Sequence, residues 1–196
     1  MDDGSLTPDE FGLLLDLAEL SIRAHLEGRH IAGPDIERLP ERLRRPGGAF
    51  VTLHVGGNLN GCIGNIESDE PIAASVPRLA IDAAFEDYRL PRLRSDDLTD
   101  LEIEISLLSP RSPVPARTRA ELLDHLVPGR HGLILTSGRH RAVFLPSVWA
   151  QLPQPSDFID RLLLKAGLPT DSWPPDLHAD VFTTVSSARR VTDGPS

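Results

Sequence analysis

Ala49-Phe50-Val51-Thr52-Leu53-His54-Val55, Gly56-Gly57-Asn58 and Leu59-Asn60-Gly61-Cys62-Ile63-Gly64-Asn65-Ile66 form one unbroken run from residue 49 to residue 66. Two segments rich in β-formers flank residues that tolerate positive φ, and this predicts an antiparallel hairpin. The returning strand carries Cys62, the only cysteine of the chain, with Gly61 before it and Gly64 two residues after. Glycine lacks a Cβ, so such neighbours let a ligand or another backbone come close to the thiol and open φ angles closed to other residues.

The flanking sequence supports the same architecture. Thr7-Pro8-Asp9-Glu10 reads as a capping box opening a helix to about Gly28, whose Phe11, Leu14, Leu15, Ala18 and Ile22 recur at helical spacing. Residues 29–48 are broken by Gly33-Pro34, Pro40 and Pro46-Gly47-Gly48 and read as a surface connection with a short helical turn. Pro71 to Glu86 predicts a helix kinked at Pro77, ending at Asp87-Tyr88-Arg89-Leu90-Pro91. Leu101-Glu102-Ile103-Glu104-Ile105-Ser106-Leu107 alternates with period two and predicts a strand with one buried face.

Ser109 to Pro115, with three prolines, reads as a linker to a short helix capped by Thr118 and Glu121. His131–Thr136 and His140–Leu145 predict a second hairpin around Ser137-Gly138-Arg139. Pro146 to Leu152 reads as helical. Ser156 is the expected cap of a last helix ending at Gly167, with Phe158, Ile159, Leu162, Leu163 and Ala166 as its core stripe. Residues 179–186 predict a closing strand, followed by a loose tail. Helices and hairpins are interspersed without strand–helix–strand alternation, and no glycine-rich phosphate loop follows a strand, so the fold class is α+β: antiparallel hairpins packed with helices.

Composition narrows the chemistry. The 196 residues are 40% hydrophobic and 25% charged, enough for one substantial folding unit. One cysteine excludes an internal disulfide and an all-cysteine metal site, and no spacing of three metal ligands is evident, so neither a metal nor another cofactor is expected. The net charge of −9 opposes a phosphate backbone, which argues against a nucleic-acid partner. The first residues, MDDGSLTPDEFG, are acidic, and no apolar stretch approaches the roughly 20 residues of a membrane span, so the expectation is a cytoplasmic protein without a membrane partner. Of the 20 basic residues, Lys165 is the single lysine, placed to favour the C-terminal end of the last helix.

Leu59-Asn60-Gly61-Cys62-Ile63-Gly64 resembles the signature of the AMMECR domain family, also called AmmeMemoRadiSam system protein A, which usually reads Leu-Arg-Gly-Cys-Ile-Gly. Further blocks follow in the family's order: Ala49–Leu53, Ala83–Pro91, Ile103–Leu108, Gly129–Leu133, Phe144–Pro146 and Leu164–Leu168. The resemblance implies one AMMECR domain over residues 5–187, a single unit with two lobes and a cleft, leaving residues 188–196 as tail. It also implies association with a Memo-like protein and a radical S-adenosylmethionine protein. Cys62, Asp87, Arg89, His131 and Lys165 match positions where the family usually carries the same residue, whereas Asn60 stands where it usually carries arginine.

These residues suggest a site. A thiol becomes a strong nucleophile beside a base or a cation, which makes Cys62 with His131 as base and Asp87 as orienter a candidate for acyl or alkyl transfer. Arg89 and Lys165 are candidates for holding a small anionic ligand, and Asn60 removes a cation from the thiol's neighbourhood. His54 and His140 read as ordinary strand residues. The alternative is a non-catalytic protein-binding or adaptor module.

Overall fold

The computed structural model describes residues 6–30, 32–171 and 173–192. In chain order the elements are α1 (Pro8–Leu26), β1 (Ala49–Val55), β2 (Asn58–Asn65), α2 (Ile72–Phe85), β3 (Leu101–Leu108), β4 (Ser112–Val114), α3 (Arg119–His125), β5 (Gly132–Ser137), β6 (His140–Phe144), α4 (Pro155–Ala166), β7 (His178–Phe182) and β8 (Thr184–Arg190). Short 3-10 turns fill Ile36–Arg38, Glu41–Arg44, Ser95–Asp100 and Pro146–Ala150. The fold is α+β, and the chain divides into two compact units, one through Leu108 and again from Val185, the other Ser109–Thr184.

The first unit is a four-stranded sheet in the order β2-β1-β3-β8 with α1 and α2 on one face. The hairpin turns through Gly56 and Gly57 at φ 56 and 79, a two-residue turn matched to right-handed strand twist. Along β3 every second residue is buried, so Ile103 and Ile105 meet Leu14, Ile22, Val51, Leu53 and Leu79 in one core. The predicted capping box is present: Glu10 N–H donates to Thr7 Oγ1 at 3.2 Å and Thr7 N–H to the Glu10 carboxylate at 2.8 Å. Helix α2 continues through Pro77.

The second unit is a four-stranded sheet in the order β4-β7-β5-β6 backed by α4. Phe158, Ile159, Leu162, Leu163 and Ala166 are all buried, as their spacing predicts. The Trp149 indole stacks on Phe158 with ring centroids 3.8 Å apart.

Five local readings change. The expected linker at Ser109–Pro115 contains β4, and Pro113 is accommodated because β4 lies at the sheet edge. Gln154 rather than Ser156 occupies the N-cap position of α4, with Pro155 opening the helix. Thr118 caps α3, but the Glu121 carboxylate takes the Arg117 N–H at 2.6 Å instead of closing a box. The single strand expected at 179–186 is two, β7 in one sheet and β8 in the other. β8 runs to Arg190, and buried Val191 donates its N–H to the Leu101 carbonyl at 2.8 Å, so residues 188–191 are not loose; residues 193–196 lie outside the described residues.

Candidate functional site

The register of the β1–β2 hairpin decides where the thiol points. Val55 faces Asn58 and His54 faces Leu59, but Leu53 faces Gly61 and Thr52 faces Cys62, so Asn60 is an extra residue, a β-bulge. Without it the same count would set Cys62 opposite Val51, which is fully buried in the core. Since side chains alternate across a strand, the one-residue insertion turns Cys62 to the face away from α1 and α2. Gly61 takes the inward position. A Cβ there would lie 2.0 Å from the Ala83 carbonyl oxygen of α2, so the glycine makes room for helix backbone rather than for a ligand. Gly64, on the outward face, makes room for the Phe50 ring.

β2 is an edge strand, so the outward peptide groups of Cys62 have no neighbouring strand. The segment after α2 supplies substitutes. Cys62 N–H donates to Asp87 Oδ2 at 3.1 Å, and Arg89 Nη2 donates to the Cys62 carbonyl at 2.9 Å. Arg89 also grips the carboxylate with two nitrogens, Nε to Oδ1 and Nη2 to Oδ2, each at 2.7 Å. Asp87 accepts the Arg89 backbone N–H as well, at 3.3 Å. The result is an ion pair that closes a ring on the cysteine peptide. These bonds outweigh the desolvation of a carboxylate only 2% exposed, and the Asp87 carboxyl is held down to about 2, chiefly by the Arg89 side chain. The same contact raises Arg89 above its ordinary value.

Cys62 is half-buried, and its sulfur accepts from Thr52 Oγ1 at 3.4 Å. Because the Cys62 peptide groups point away from β1, Thr52 and Cys62 form a non-hydrogen-bonded pair, the arrangement that brings facing side chains closest. Thr52 was not among the residues singled out from the sequence. The signal for it was hidden by the bulge, since the two-residue turn alone predicts a different partner. His54 stands two residues along on the same face, and its Nδ1 is shielded from solvent without a hydrogen-bond partner among the described residues. Asn60 donates through Nδ2 to the Pro91 carbonyl at 3.4 Å, tying the bulge to the same post-helix segment. The Asn60 Oδ1 has no hydrogen-bond partner among the described residues.

The structure thus brings Cys62, Asp87, Arg89 and Asn60 together in the first unit, while His131 and Lys165 belong to the second. Asp87 does not orient a histidine; its oxygens are taken by Cys62 and Arg89. His131 Nδ1 accepts the Val127 N–H at 3.2 Å, and burial, with help from the Arg130 charge, lowers its pKa. In the neutral ring that bond uses the one available lone pair. Lys165 Nζ donates to the Val143 carbonyl at 3.0 Å and lies 5.2 Å from the Phe144 ring centroid. That is a helix-terminal cation resting on an aromatic face.

Among the described residues, no helix is long and apolar enough to cross a membrane. The AMMECR1 family model matches residues 15–187. A protein of Methanothermobacter thermautotrophicus is 35% identical over 170 residues, covering 86% of this chain and 88% of that one. A protein of Methanopyrus kandleri is 33% identical, covering 97% and 93%. The crystal structure of the uncharacterized protein PH0010 from Pyrococcus horikoshii superposes with a TM-score of 0.84 at 28% identity, covering 97% of this chain and 96% of that one. With the motif, the fold and the relatives in agreement over most of its length, the chain belongs to the AMMECR1 family.

Proposed function

We propose that this protein is a cytoplasmic thiol-dependent enzyme or modification factor whose working group is the Cys62 sulfur. The observation that supports this is the double hold on the Cys62 peptide: a carboxylate on its N–H and a guanidinium on its carbonyl. A nucleophile must be held in fixed geometry by partners that are themselves fixed, and an ion pair on a buried carboxylate provides that. In acyl transfer of this class the sulfur–carbon bond forms, the bond to the leaving group breaks, and the thiol proton departs with the leaving group. The Thr52 hydroxyl donates to the sulfur, and Arg89 Nη1, without a partner among the described residues on a side chain 60% exposed, is open to a substrate anion. The Memo-like and radical S-adenosylmethionine proteins implied by the family resemblance are the proposed partners in the process.

A second reading, a protein-binding module, has one observation in its favour: Tyr88, between the two ion-pair residues, is 96% exposed. Tyrosine and arginine are the residue types that dominate the centres of protein interfaces. The readings separate on thiol chemistry. Under the first, native protein without denaturant is alkylated by iodoacetamide at Cys62 at a rate comparable to the urea-unfolded chain, and Cys62→Ser takes up no label. Labelling that waits for unfolding contradicts it. Under the second, Tyr88→Ala loses capture of the Memo-like protein while Cys62→Ser retains it.

A further inference from the structure

The second unit contains a groove of about 820 Å³ beside the edge strand β4, within the volume range of small-molecule sites. Its walls are built from Pro113, Pro115, Pro174 and Pro175, with Trp173 half-buried among them and packed against the unit's core. Proline has no backbone N–H, so these walls offer few main-chain donors. Pro113 on the free edge of β4 also prevents another strand from extending the sheet there. Recognition in this groove therefore falls to flat apolar surface and to side-chain charge.

The charges are arranged unevenly. Arg111 lies 3.6 Å from the Asp180 carboxylate, so that pair is close to neutral. Arg117 is exposed and its guanidinium has no ion-pair or hydrogen-bond partner among the described residues. Its backbone N–H is nevertheless fixed by the Glu121 carboxylate at 2.6 Å, which sets where the side chain begins. One uncompensated planar cation at the end of an aromatic and proline-lined trough matches one carboxylate, which a guanidinium can take through two parallel bonds.

We propose that this groove binds a small organic monocarboxylate, its apolar body against Trp173 and the prolines and its carboxylate on Arg117. Nothing in this requires the Cys62 site, and the two assignments stand or fall separately.

The chain has two tryptophans, so indole N–H NMR signals report the groove directly. The Trp149 indole N–H donates to the His131 carbonyl at 2.7 Å and serves as the internal reference. The probes are 4-phenylbutyrate, indole-3-propionate and 4-methylvalerate, with 4-phenylbutyramide as uncharged control and acetate as a carboxylate without a body. At least one of the three shifts the Trp173 signal saturably and leaves Trp149 in place. Arg117→Gln, which removes no internal side-chain contact, weakens that binding about ten-fold, the value of one bidentate ion pair. No saturable shift with any of the three overturns the proposal, as does equal binding by Arg117→Gln, by the amide or by acetate alone.

Discussion

Arg89 and Arg117 are chemically identical and do opposite things. Arg89 spends its fork on Asp87 and its remaining Nη2 proton on the Cys62 carbonyl, so most of its charge is used inside the fold. Arg117 has its backbone anchored and its guanidinium left over. The difference lies in the sequence neighbourhood: Asp87 lies two residues from Arg89 on a segment that turns back to an edge strand, whereas Glu121 reaches the Arg117 peptide rather than its side chain. An arginine answered by a buried carboxylate serves mainly as scaffold and keeps only Nη1 for a substrate anion, whereas one answered only by solvent offers its whole fork to a ligand.

The largest expected effect breaks the scaffold half of this contrast. Gly61→Ala puts a Cβ 2.0 Å from the Ala83 carbonyl oxygen, a backbone atom of a packed helix that cannot step aside as a side-chain tip would. Urea unfolding should show a loss of about 3 kcal/mol or more. An unchanged midpoint would mean that α2 does not depend on this close approach.

A smaller effect follows from the acid titration of Asp87. Its carboxyl lies near 2 in the folded protein against an ordinary 3.8, so its contribution is complete above the ordinary value and disappears as pH falls from there towards 2. With part of the Arg89 side chain in water, that contribution is roughly 1 to 2 kcal/mol. The stability difference between the native chain and Asp87→Asn should therefore shrink over that acid interval. A difference independent of pH there would place the pair's value in packing rather than charge.

Much of the fold could be read before any coordinates, because the signals were local. The Thr7–Glu10 capping box, the period-two strand at 101–107 and the apolar stripe of α4 each depend on neighbours within a few residues, and each is present. The misreadings share a different cause. Three prolines at 109–115 signal a loop, yet an edge strand accepts a proline whose missing N–H would have faced outward. The change of sheet between β7 and β8 carries no glycine or proline to announce it. Most of all, the direction of Cys62 depends on a bulge that no composition rule marks: Asn60 reads as one more strand residue, and only the pairing shows that it has no opposite number.

That bulge and the ion pair together make the central claim, that the Cys62 peptide sits at the sheet edge in the grip of Asp87 and Arg89. Hydrogen exchange at the Cys62 amide tests it most directly, with the Val51 amide of the central strand β1 as reference. In the native chain Cys62 should be protected although no strand pairs with that edge, and Asp87→Ala should speed its exchange by about a hundred-fold relative to Val51. A Cys62 amide that exchanges as freely as an open edge in the native chain, or that keeps its protection without Asp87, would contradict the account.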